Sequence, residues 1–116
     1  MLTETELVAI LLDTLDHRER SSGVAYLTAS AIPAGTRLPI PRADVSAPWD
    51  AALAFIDREP MANWAHSCRY VLIGRETGEV RSIDARLPPF TSDNRLGWRV
   101  VHKAGCVPDA VLALPR

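Results

Sequence analysis

The sequence predicts an α+β domain in which one amphipathic N-terminal helix packs on a twisted antiparallel sheet of about four or five strands. Three observations carry this. Leu7, Val8, Leu11, Leu12 and Leu15 recur at helical spacing near the start of the chain. Short β-prone runs separated by Gly, Pro, Asn and Asp follow. Two of those runs flank Gly74-Arg75-Glu76-Thr77-Gly78, a loop closed by a glycine, as a bulged hairpin turn requires.

Thr3 with Glu6 fits a capping box, so the helix is expected to begin there. Ser21-Ser22-Gly23 should end it, with His17, Arg18 and Arg20 at the negative end of its dipole. Val24 to Ser30 reads as a strand. A proline-rich excursion at about 31–48 then carries Pro33, Pro39, Pro41 and Pro48, which withhold backbone donors and make regular pairing unexpected. So long a connection in a small domain is either functional or mobile.

Trp49 to Asp57 is compatible with either a helix or a strand. Ser46 and Pro48 suit a helix start, but Ala51, Leu53 and Phe55 alternate with Ala52, Ala54 and Ile56, which favours a strand. Apolar residues on both faces place it centrally in the sheet. Cys68 to Ile73 and Glu79 to Ile83 form the hairpin, with Gly78 at positive φ. Leu87 to Asn94 is a second breaker region, and a last strand follows from Trp98. Val107 to Arg116, enclosed by Pro108 and Pro115, reads as an edge strand or a single docked turn.

The 116 residues suit one domain, residues 1–116, and 47% hydrophobic against 23% charged residues is ordinary globular usage. A formal charge of -1, with arginines scattered singly, offers no field for nucleic acid or an anionic membrane surface. The acidic start, Met1 to Glu6, lacks the features of a secretory leader, and the run Leu7 to Leu12 is far short of the ~20 residues that span a bilayer. The expectation is a cytoplasmic chain whose two cysteines, Cys68 and Cys106, stay unbridged.

Reactive side chains concentrate at Asn63-Trp64-Ala65-His66-Ser67-Cys68. A cysteine-dependent hydrolase or transferase would take Cys68 as nucleophile, His66 as base and Asn63 as the group orienting the ring. Residues two apart on a strand stand roughly 7 Å apart at the backbone, however, so Cys68 and His66 would meet only across a kink. Cys68 with His102, or Cys106 with His66, would be more workable pairs. The bland alternative makes Cys68 a small buried residue and gives His66 a loop partner. A zinc site from His66, Cys68, His102 and Cys106 would have acceptable ligands but no standard spacing, so no metal or other cofactor is expected. Asp44, Asp50, Asp57 and Asp84 are too scattered for paired-carboxylate chemistry.

Trp49, Trp64 and Trp98, with Tyr26 and Tyr70, are expected at strand ends or beside loops, sealing sheet edges or lining a groove. Trp49, Met61, Asn63 and Trp64, at loops, are the candidate recognition surface for another protein or peptide.

The stretch Tyr70-Val71-Leu72-Ile73-Gly74-Arg75-Glu76-Thr77-Gly78-Glu79-Val80 resembles the strand, turn and strand of small bacterial helix-plus-sheet modules, including PepSY-type domains and YrhB-like immunity proteins. The resemblance covers about a tenth of the chain and implies a non-catalytic binding or inhibitory module, without assigning any functional residue.

Overall fold

Thr3 caps the first helix: its hydroxyl accepts from the Glu6 amide at 3.2 Å, and Glu6 Oε1 accepts from the Thr3 amide at 3.0 Å. Helix α1 runs Glu4–Thr14. It does not continue to Ser22, as the periodicity suggests. Leu15 turns extended (φ -67, ψ 131), and Asp16 caps a second helix, α2, His17–Ser22, through a capping box with Glu19. Two capping boxes, Thr3 with Glu6 and Asp16 with Glu19, bracket one apolar stripe, and the second starts a new helix. His17 therefore opens α2. Arg20 folds back instead, giving Nε to Leu15 O and Nη2 to Leu12 O, carbonyls at the end of α1, of which Leu12 O also accepts from Leu15 N–H.

The computed structural model describes residues 1–89 and 95–112. Its five strands are β1 (Val24–Thr28), β2 (Ala51–Asp57), β3 (Cys68–Gly74), β4 (Val80–Ala85) and β5 (Trp98–Lys103). They form one antiparallel sheet of order β4-β3-β2-β1-β5. Strand β2 lies at its centre, buried at every residue. The fold is α+β with the N-terminal helix on an antiparallel sheet, and the ambiguous segment before Asp57 is a strand because it is covered on both faces.

One face takes Leu7, Leu11 and Leu15 of the helical segment against Leu27, Ala54 and Ile56. The other carries an aromatic row. Tyr26 pairs with Phe55 and Phe55 with Tyr70 in register, with ring centroids 5.7 and 5.2 Å apart. Each such contact contributes ~0.5–1.5 kcal/mol beyond area burial. Tyr26 and Tyr70 thus stand within their strands in the core, not at the strand ends or loop-side positions expected for them.

The proline-rich excursion roofs that aromatic face. Ile32, Leu38, Ile40 and Ala47 are buried in the same cluster as Phe55. As expected it forms no regular strand, but isolated bridges tie it down: Leu38 N–H donates to Val45 O at 2.9 Å, Ala47 N–H to Thr36 O at 2.8 Å, and Ile32 bridges Ala51. The prolines fall where no ladder donor is needed, and the apolar residues between them supply the second layer that an exposed aromatic sheet face demands.

The hairpin forms as the glycines predict, with Gly78 at φ 75. A Cβ there would also lie 3.2 Å from Ile10 Cδ1 of α1. After β5, a short 3-10 turn at Asp109–Val111 fits the docked-turn alternative to an edge strand for this segment, of which residues 113–116 lie outside the described residues. Phe90 to Asn94 of the breaker region, and residues 113–116, lie outside the described residues. Among the described residues no helix is long and apolar enough to cross a membrane.

Candidate functional site

Antiparallel pairing of β2 and β3 sets Asp57 opposite Cys68. The loop 58–67 joins them. Asp57 is wholly buried and receives His66, whose Nδ1 lies 2.9 Å from Oδ2 and 3.0 Å from Oδ1. Glu59 N–H donates to Asp57 Oδ1 at 3.0 Å, and Glu59 Oε1 accepts from Ser67 N–H at 2.6 Å. His66 N–H donates to Arg86 O, also at 2.6 Å. The loop is thereby closed at its base by polar groups from both of its ends, leaving Met61 to Ala65 to project.

Burial pushes the Asp57 carboxyl above its usual range, although the His66 hydrogen bond and charge and the Glu59 amide act the other way. Asp57, not Asn63, orients the imidazole. Asn63 is exposed and makes no hydrogen bond among the described residues. Nothing in the sequence marked Asp57 beyond its place as an acid ending an apolar strand. Pairing register brings it to His66, nine residues on.

Cys68 is fully buried in the aromatic-face cluster, its thiol 3.8 Å from Leu87 O. Burial first, then the charge of Asp57, pushes the thiol up to about 12, with Arg58 and Arg86 only partly opposing. Such a thiol stays protonated near neutral pH and makes a poor nucleophile. Tyr70 donates to the same Leu87 carbonyl at 2.8 Å, and burial raises its phenol as well. Leu87 O is therefore the acceptor shared by two buried polar groups that the aromatic face would otherwise strand.

His102 lies on β5, with β2 and β1 between it and Cys68 on β3. Its Nε2 stands 2.9 Å from Arg20 O, and the exposed Cys106 thiol stands 3.6 Å from Ser21 O. The pairs Cys68 with His102 and Cys106 with His66, and the four-residue zinc set, are not brought together. Neither cysteine is bridged. Among the described residues no cluster of three or more His, Cys, Asp or Glu could hold a metal ion.

On the helix face of the same strand ends a second polar hub forms. Glu19, buried from α2, accepts from Arg58 Nε at 2.9 Å and from Arg69 Nε and Nη2 at 2.8 and 2.9 Å. Burial alone would raise the Glu19 carboxyl, but hydrogen bonds from Arg69, the Asp16 amide and Arg58 together hold it below its usual range. Gly23 lets β1 start this close: a Cβ there would meet Asp57 O and Glu19 O, each at 2.8 Å.

Two concavities flank the projecting loop. One, of about 490 Å³, lies between the excursion and the end of β4, and is lined by Ile40, Arg42, Trp64, Asp84, Arg86 and Leu87 among others. The other, of about 420 Å³, is lined by Met61, Asn63, Trp64 and His66 together with Pro88 and Val111. Trp64 borders both and is 87% exposed; Met61 is 59% exposed. Trp49 is elsewhere. It precedes β2, is half-buried against the aromatic-face cluster and has Arg81 5.7 Å over its ring. The length of β2, ~20 Å, separates it from Trp64. The surface expected from Trp49, Met61, Asn63 and Trp64 is therefore two places, of which only the Met61 to Trp64 loop is open.

The chain matches no protein-family model, no curated protein and no solved structure.

Proposed function

We propose that this chain is a small non-catalytic protein-binding module, an immunity, inhibitory or accessory factor of the bacterial cytoplasm, which recognises a protein or peptide through the loop from Met61 to Trp64. The observation that carries the reading is the exposure of Trp64, 87%, on a loop whose base is held by the Asp57–His66 pair. Trp64 stands exposed with Met61 beside two concavities, and an exposed aromatic of this kind is the residue type that most often anchors an interface. Hydrogen bonds at the base of the loop restrict its ends, which lowers the conformational entropy that opposes binding. The likeness of the hairpin to PepSY-type and YrhB-like modules points to the same class.

The alternative, a cysteine-dependent hydrolase or transferase using Cys68, His66 and Asn63, has less behind it. The thiol is buried and held protonated, and the imidazole Nδ1 is committed to a carboxylate.

A photo-crosslinking residue placed at position 64 in the cell tests the reading against the same residue at the exposed position 9 on α1. A discrete adduct from position 64 alone, competed by the unmodified protein but not by Trp64→Ala, is expected. Identical adducts from both positions, or none from position 64, would remove the reading.

A further inference from the structure

Arg42 and Arg86 share one property and one place. Every other arginine among the described residues has a partner within the chain. Among the described residues Arg42 and Arg86 have neither an ion pair nor a side-chain hydrogen bond, and both line the same groove. They come from different walls of it, Arg42 from the excursion and Arg86 from the residue following β4.

Arg42 is also held in an unusual conformation. A turn led by Pro41 closes with Ala43 N–H donating to Ile40 O at 3.2 Å, and its third residue, Arg42, takes φ 63. That position favours glycine or asparagine. Arg42 is the one non-glycine residue at positive φ among those described. The turn thus accepts backbone strain while presenting a guanidinium that bonds to nothing in the fold.

The groove between the two arginines has an apolar floor, from Ile40, Ala43, Ala85 and Leu87, with Trp64 at its rim. Asp84, the acid in its lining, stands 3.9 Å from Arg58. Strand β4 is an edge strand, so one side of its backbone has no strand partner.

We infer that this groove takes an acidic peptide segment of a partner protein, laid extended beside the end of β4, with carboxylates on Arg42 and Arg86 and an apolar side chain against Trp64. The inference rests on the binding reading above and deepens it. Carboxylates in a bidentate grip suit two unpaired guanidiniums, and an extended chain suits a free sheet edge, where alternate side chains enter pockets. A compact phosphate ligand fits less well, since no helix N-terminus or glycine loop lines the groove.

The test selects on the full chain from a display library of random peptides about ten residues long, spanning roughly 33 Å when extended. Selected peptides should be enriched in Asp and Glu alternating with apolar residues, and should bind more weakly as salt rises. Arg42→Glu with Arg86→Glu should weaken the best peptide by roughly tenfold or more. Arg81→Glu, at an exposed position outside the lining of the groove, should change it little. Arg42→Gly separates strain from binding: it should leave the fold as stable or more so while weakening the peptide.

Selection yielding no enriched peptides, a consensus without acids, or binding indifferent to both arginines would overturn the inference. So would displacement by millimolar inorganic phosphate as complete as by unlabelled peptide, which would make the groove a small-anion site. A position-64 crosslink with any of these results would leave the binding module standing and remove only its acidic partner.

Discussion

Asp57 and His66, the one at the end of β2 and the other just before β3, close a loop by a buried pair 2.9 Å apart. The carboxylate is wholly buried, and the imidazole nearly so. Breaking such a pair on one side leaves a group with nowhere to put its charge. Deleting His66 should therefore disturb the fold, and with it the presentation of Trp64, rather than a reaction.

His66→Ala should cost about 3 kcal/mol at neutral pH, the scale for an orphaned buried charge. The folded carboxyl of Asp57 already lies above its unfolded value, so the strain of holding it ionised is present above the folded pKa and relieved as pH falls through it. The penalty of His66→Ala should shrink on acidification. Urea midpoints of both proteins at neutral and mildly acid pH measure this, and a penalty independent of pH would refute it.

Glu19 has the opposite sign. Its folded pKa is depressed, so its contribution is present above its unfolded value near ~4.3 and is lost as pH falls through the folded value. Glu19→Gln should destabilise by on the order of 3 kcal/mol at neutral pH, leaving Arg58 and Arg69 short of a partner. Acid unfolding of that variant should be less steep than that of the parent. Parallel acid limbs would show that the hub does not hold this charge.

The two cysteines should react very differently. Cys106 is exposed and should alkylate freely, whereas Cys68, pushed up to about 12, should be protected from iodoacetamide at neutral pH until the chain unfolds. Peptide mass mapping after brief labelling distinguishes them. Selective labelling at Cys68, lost in His66→Ala, would revive the enzyme reading.

Gly78→Val should destabilise by about 1–3 kcal/mol, because φ 75 disfavours a branched side chain and a Cβ stands 3.2 Å from Ile10 Cδ1. Denaturation midpoints report it. An unaltered midpoint would mean that the turn relaxes away from α1 at no cost.

Trp64 and Trp49 should part company. Trp64→Ala should change stability by no more than ~0.5 kcal/mol, as at other exposed positions, while weakening a captured partner by about 2 kcal/mol or more. Trp49→Ala should lower stability instead, through lost packing on the core cluster and Arg81. Equal binding losses from both variants would mean that the two ends of β2 act as one surface.

Local signals were enough for the hairpin, the capped start of α1, the strand from Trp98 and the central place of Ala51 to Asp57, because each depends on residues a few positions apart. The exposure of Met61 and Trp64 was likewise legible, from large apolar residues beside turn formers. Long-range pairing decided the rest. Only the register of β2 on β3 sets Asp57 beside His66 and displaces Asn63 from that role, and only the sheet order keeps His102 and Cys106 away from Cys68. The break at Leu15 and the roof over the aromatic face followed from competition, between two capping boxes in one case and between proline chemistry and an uncovered sheet in the other. Arg42 and Arg86 stand 44 positions apart in a chain whose arginines all look alike in sequence. What distinguishes them is that every other described guanidinium found a partner on folding, a property of the assembled surface that no local pattern encodes.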